Sequence, residues 1–154
     1  AALQFRLDDD DAVGPGFVAD LRRIGTATAA LPEHAISFPR GLSVMCYGDN
    51  PPSFWKTWRP FTGAALAVRL ADPGQSIFAH NHFDLPRKML AITEPGTAGH
   101  FVTRWDVADS ARRGFPGIPW GYDPLLPEEF REALAADFPF LAGMDWSQLA
   151  GVTA

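Results

Sequence analysis

Cysteine is nearly absent: Cys46 is the only one in the chain. A single thiol closes no internal disulfide and supplies no paired-cysteine zinc site. Core packing must therefore hold the fold, and a reducing, cytoplasmic compartment is the expectation. Long apolar runs are also missing. No window approaches the roughly 18 consecutive apolar residues that span a bilayer, and no charged segment followed by an apolar run opens the chain. Lysine is scarce, because Lys56 and Lys88 are the only lysines among 13 cationic residues. Positive charge is in the minority as well: 13 Lys+Arg stand against 18 Asp+Glu, a net of −5. That balance excludes a general nucleic-acid-binding surface.

What the chain does have is concentrated. Four of its acidic residues are consecutive, Asp8 to Asp11, so the acidity is one site rather than a general property. The 154 residues, 47% hydrophobic and 20% charged, are the composition of one compact domain spanning 1–154. Residues 2 to 7 alternate apolar and polar, a strand running straight into the aspartates. Pro15 then opens a helix with Phe17, Val18, Leu21 and Ile24 on one face and Gly25 as its stop.

Short strands separated by turns are expected from residue 34 onward: 35–38, 42–47, 64–70, 76–79, 88–92 and 100–105. A short helix is expected over 106–113, a Pro- and Gly-rich loop from Gly114, a helix over Pro127 to Asp137 and a last short helix opened by Asp145. The fold class is mixed α/β, with short strands in the middle and helices at the C-terminus.

The acidic cluster carries the chemistry. On an extended chain Asp8 and Asp10 face the same way about 6 to 7 Å apart, with Asp9 pointing away. Their repulsion amounts to about 2 kcal/mol at an effective dielectric near 20, and a divalent cation reverses its sign. Oxygen-only ligands suit Mg²⁺ or Mn²⁺, whose remaining positions are filled by water and substrate phosphate. The ordinary alternative is a solvated acidic turn favouring a helix N-terminus. The preceding strand speaks for the metal, because open α/β sheets bind ligands at the carboxyl ends of their strands.

The segment Phe5-Arg6-Leu7-Asp8-Asp9-Asp10-Asp11-Ala12, followed by Phe17-Val18-Ala19-Asp20-Leu21, resembles the DxD region of GT-A glycosyltransferases. More narrowly, it is similar to a bacterial family of rhamnosyltransferases that carries Arg-Leu-Asp-x-Asp-Asp-Ala before a helix. Ser37-Phe38-Pro39-Arg40-Gly41 and a histidine at a strand end, matched by His80, also resemble that family.

The resemblance implies transfer of a sugar from a nucleoside-diphosphate donor to a hydroxyl of a glycan or lipid-linked acceptor, with peripheral membrane contact as one setting. It implies Asp8, Asp10 and His80 as metal ligands, and Asp9 and Arg40 at the donor. The acceptor's proton needs a carboxylate by chemistry alone; Asp106 and Asp84 are the first candidates, and Glu94 and Asp109 qualify as well. The resemblance further implies that the chain is the C-terminal half of such an enzyme. The nucleotide-binding half would precede Ala1, and the first strand would carry an open edge.

Two rivals stand beside this reading. Phosphoryl transfer of the haloacid-dehalogenase type also uses a DxD at a strand end, but Ala12 stands where those enzymes need Thr or Val. A non-enzymatic, metal-dependent sugar-binding module is the other, although Ala12 breaks the EF-hand pattern. Trp55, Lys56, Trp58 and Arg59 form an aromatic and basic stretch that fits either core packing or a sugar-stacking rim.

Overall fold

A computed structural model describes residues 2–47, 50–105 and 120–145. Strands β1 (Ala2–Phe5), β3 (His34–Ser37), β6 (Leu66–Leu70) and β7 (Leu90–Thr93) form one sheet in the order β1-β6-β3-β7. Strands β2 (Asp11–Val13), β4 (Arg40–Cys46), β5 (Ser53–Trp58), β8 (His100–Trp105) and β9 (Tyr122–Leu125) form a second, in the order β2-β8-β4-β5-β9. Both sheets are mixed: β3 runs parallel to β7 and β4 to β8, while every other pairing is antiparallel. The chain crosses from the first sheet to the second three times, between β1 and β2, between β3 and β4 and between β7 and β8.

Alternation along the strands builds three cores. Ile36, Ala65 and Ala67 meet Phe17, Leu21 and Ile24 of helix α1 (Phe17–Ala27). The opposite face of the first sheet, with Ala35, Leu66, Val68 and Leu70, is covered by Ile77 and by Leu85 of helix α2 (Leu85–Lys88). Strand β6 is thus buried on both faces, which is why four of its five residues are apolar, Arg69 being the exception. In the second sheet Leu42, Val44 and Phe101 pack against Phe130, Leu134 and Phe138. Phe130 and Leu134 lie on helix α3 (Pro127–Asp137), whose span matches the sequence expectation. The Glu129 carboxylate accepts from the Leu126 N–H at 2.8 Å and so closes the start of α3.

Several expectations need correction. Gly25 does not stop the first helix but lies buried within it, since a Cβ there would meet the Leu3 side chain at 2.7 Å. Residues 76–79 are not a strand. The Ser76 hydroxyl accepts from the Phe78 N–H at 3.2 Å and holds Ile77–Ala79 in a 3₁₀ turn, a local bond that competes with sheet pairing. The loop-rich stretch contains β9, which tolerates Pro124 because it is an edge strand. The expected helices over 106–113 and after Asp145 lie outside the described residues. Among the described residues no helix is long and apolar enough to cross a membrane.

Gly41 shows how closely the second sheet is built. A Cβ there would come within 2.5 Å of the His100 ring and 2.3 Å of its carbonyl oxygen. That ring is held between the Thr57 hydroxyl at 2.9 Å and the Phe38 carbonyl at 3.2 Å. We expect Gly41→Ala to destabilise the protein by about 1 to 3 kcal/mol. Gly143→Ala, where an added Cβ meets nothing within 4 Å, should be nearly neutral; urea unfolding midpoints compare the two.

Candidate functional site

The acidic residues stand where the chain crosses between the sheets. Strand β1 ends at Phe5, and the Asp11 N–H donates to the Asp8 carbonyl at 3.2 Å, closing a turn. Asp8 and Asp10 are therefore not alternate residues of one extended strand, and their expected shared face does not arise that way. The turn is pinned from both sides. Arg6 donates from Nε and Nη2 to the two carboxylate oxygens of Asp8, each at 3.2 Å, and the Thr103 hydroxyl of β8 donates to the Asp10 carbonyl at 2.8 Å.

Crowding of like charge sets the electrostatics. Asp11, partly buried in β2, has its carboxyl pushed up to about 7, first by burial and then by the charges of Asp10 and Asp8. Arg104 and Arg6 pull in the other direction and do not outweigh them. Asp9 and Asp10 are exposed. Across from Arg6, the His82 imidazole is lowered by burial and then by Arg6, with Asp8 opposing and Arg59 adding to the effect. The site thus gathers Arg6, Asp8, Asp10, Asp11, His82 and Arg104.

The remaining sequence candidates fall as follows. His80 closes the 3₁₀ turn Ile77–Ala79; its Nε2 is buried without a hydrogen-bond partner among the described residues. Arg6 and Asp8 both act on His82, two residues further on. Asp84 starts α2, with the Lys88 ammonium 3.9 Å away. Arg40 donates to Asp137 of α3 at 3.0 Å. It precedes Gly41, which is in register with His100 and hence with Val13, at the end of β2 opposite to the acidic turn. The structure thus separates Arg40 from the aspartates, and Arg6 and Arg104 are the cations beside them. Asp106 lies outside the described residues.

Sequence reasoning missed Arg6, Asp11, His82 and Arg104 as members of one site. Adjacency to the aspartates was the available signal for Arg6 and Asp11, whereas His82 and Arg104 arrive only through the fold.

Among the described residues no three His, Cys, Asp or Glu side chains form a ready metal cage. The donors at the turn are carboxylate oxygens that repel one another, which fits a hard divalent cation completing its shell with water and phosphate.

A carboxyl raised above its unfolded value destabilises the fold once it must ionise. Wild-type stability should therefore fall as pH rises from about 4, the unfolded Asp value, to about 7, where folded Asp11 ionises. We expect Asp11→Asn to be neutral at pH 4 and stabilising at pH 8. The gain should be on the order of 2 kcal/mol, allowing for solvent screening of a partly exposed group. Thermal or urea unfolding across that range measures the difference.

Comparison with known proteins adds one finding. No curated protein and no solved structure matches the chain. A family model described as "Putative rhamnosyl transferase" matches residues 1–116, well over half of the 154 residues and including the acidic turn, β8 and every described residue of the site above. The chain belongs to this rhamnosyl transferase family.

Proposed function

We propose that the chain carries the metal- and diphosphate-handling part of a glycosyltransferase that moves a sugar, rhamnose by the family's description, from a nucleoside diphosphate to a hydroxyl acceptor. The family match supports sugar transfer over phosphoryl transfer and over a non-catalytic sugar-binding module. The observation that carries the reading is the charge pattern at the sheet crossing. Asp8, Asp10 and Asp11 crowd one turn, and Arg6 and Arg104 lie close enough to act on the same carboxyl.

Asp8 and Asp10 would hold Mg²⁺ or Mn²⁺, and the bound ion would supply counter-charge for the diphosphate. Arg6 and Arg104 add fixed positive charge on the side where negative charge grows as the sugar departs. Asp9, exposed at the tip of the turn, faces the donor. Arg40, engaged with Asp137, is left outside this set. The proton of the attacking hydroxyl goes to a carboxylate. Asp84, two residues after His82, and Asp106, which follows β8 in sequence, are the proposed acceptors. In line with a strand that pairs with a preceding half of the protein, β1 stands at the edge of its sheet.

Manganese titration by electron paramagnetic resonance, without and with uridine, guanosine or thymidine diphosphate, tests the reading. We expect tighter manganese binding when one of these diphosphates is present. Asp8→Asn or Asp10→Asn should weaken it more than about tenfold, while Asp84→Asn leaves it unchanged. Manganese affinity indifferent to every nucleotide, or unaltered in both turn variants, overturns the proposal.

A further inference from the structure

The segment beside the acidic turn has a feature that metal and diphosphate binding does not use. Between Ser76 and Asp84 the chain makes two successive 3₁₀ turns, Ile77–Ala79 and His82–Asp84. Each turn exposes one phenylalanine: Phe78 is 64% and Phe83 58% exposed, two large apolar rings within six residues. Exposure of this kind is costly and clusters at interaction sites.

These rings are held outward by construction. Ile77 and Leu85 anchor the segment in the core, at 4% and 0% exposure. The Ser76 hydroxyl and the Asn81 side-chain oxygen accept from the Phe78 and Phe83 N–H groups, at 3.2 and 3.1 Å. Gln4 of β1 ties the segment down, donating to the Gln75 carbonyl at 2.8 Å and accepting from the Ile77 N–H at 3.0 Å.

The same ties bring the rings to the site. The Arg6 guanidinium that grips Asp8 lies over the Phe78 ring, 5.3 Å from its centroid. Gly63 flanks that guanidinium on a further side, where an added Cβ would meet the Arg6 Cζ at 3.5 Å. Phe83 packs on the His82 imidazole with centroids 4.0 Å apart, and His82 feels Arg6, Asp8 and Arg59. Two exposed aromatic rings therefore border the acidic turn, with His82 and Asp84 interleaved in the same segment.

We propose that Phe78 and Phe83 form the stacking platform for a pyranose ring, and so determine which sugar the site accepts. The choice of occupant follows from the chemistry of the segment. A pyranose presents an apolar C–H face to an aromatic ring and a rim of hydroxyls that need donors and acceptors. Asp84 accepts and the His82 imidazole does both, beside the rings rather than away from them. A lipid surface calls for a continuous apolar patch with a cationic border, and acidic groups within the patch oppose it. The inference rests on the glycosyltransferase reading for the direction of sugar transfer, but the platform is testable without it.

Saturation-transfer NMR and titration on the full chain use methyl α-L-rhamnopyranoside, methyl α-D-mannopyranoside and methyl α-D-glucopyranoside as probes. Uridine and vesicles of phosphatidylcholine with phosphatidylglycerol serve as comparators. We expect at least one glycoside to bind through its ring protons. Phe83→Ala, which leaves the Arg6 contact intact, should weaken it severalfold, and Phe78→Ala with Phe83→Ala by about tenfold or more. Phe83→Tyr and Phe78→Tyr should restore binding, and circular dichroism should show each variant folded.

Asp8→Asn with Asp10→Asn separates the two proposals. If these variants keep manganese binding while glycoside binding still follows the phenylalanines, the metal reading fails and the platform stands. No binding of any glycoside, binding unaffected by the double phenylalanine variant, or phenylalanine-dependent binding of uridine or vesicles in place of the glycosides overturns the platform.

Discussion

The guanidinium of Arg6 is the contact on which the arrangement turns. It follows the last residue of β1, grips both oxygens of Asp8 and carries the ring of Phe78 beside it. An ion pair of this exposure contributes about 1 kcal/mol or less by itself. Its consequence is positional. The turn Asp8 to Asp11 must carry the chain from one sheet to the other while holding like charges together, and without a cation in its plane that turn has every electrostatic reason to open. Arg6 also fixes the relation between the acidic turn and the 77–84 segment, so one side chain couples the charged and the aromatic halves of the site.

The second constraint is the crossing itself. Two sheets meet because the chain passes from the first to the second at residues 6–10, at Phe38-Pro39 and at residues 94–99. Phe17 fills the junction, its ring 5.2 Å from Phe5 and 4.8 Å from Phe38, edge-on to both. Edge-to-face contacts between rings add about 0.5 to 1.5 kcal/mol each beyond the area they cover; Phe17 and Phe38 are buried, while Phe5 is exposed. The aspartates are thereby mounted on a packed support. The Asp11 carboxyl is accordingly raised, by burial first and by the repulsion of Asp10 and Asp8 after it.

Much of the fold was legible in the chain. The span of α3 followed from Pro127, the two glutamates of its first turn and the spacing of Phe130 and Leu134. Strands β6 and β8 followed from the segments 64–70 and 100–105, set off by the turns Asp72-Pro73-Gly74 and Glu94-Pro95-Gly96. Three of the misses are places where the local sequence argues against the element. Strand β2 contains an aspartate and lasts three residues, β9 contains a proline, and Gly25 looked like a helix stop. Each is decided by a neighbour, namely the ladder to β8, the ladder to β5 and the Leu3 side chain.

The candidate site divides along the same line. Local composition alone established an acidic turn at the end of a strand, because four adjacent aspartates lie together in any fold; the resemblance of the motif around them pointed to the family that the match over residues 1–116 then showed. Which cations face those aspartates was a tertiary matter. Arg40, only three residues from β3, starts β4 beyond the end of β2 that lies away from the acidic turn and pairs with Asp137, whereas Arg104, more than ninety residues from the turn, was brought beside Asp11. The reason is that strand pairing acts through register: moving along a strand shifts a side chain about 3.3 Å per residue, and the choice of neighbouring strand is invisible to any window of sequence shorter than the loop that joins them.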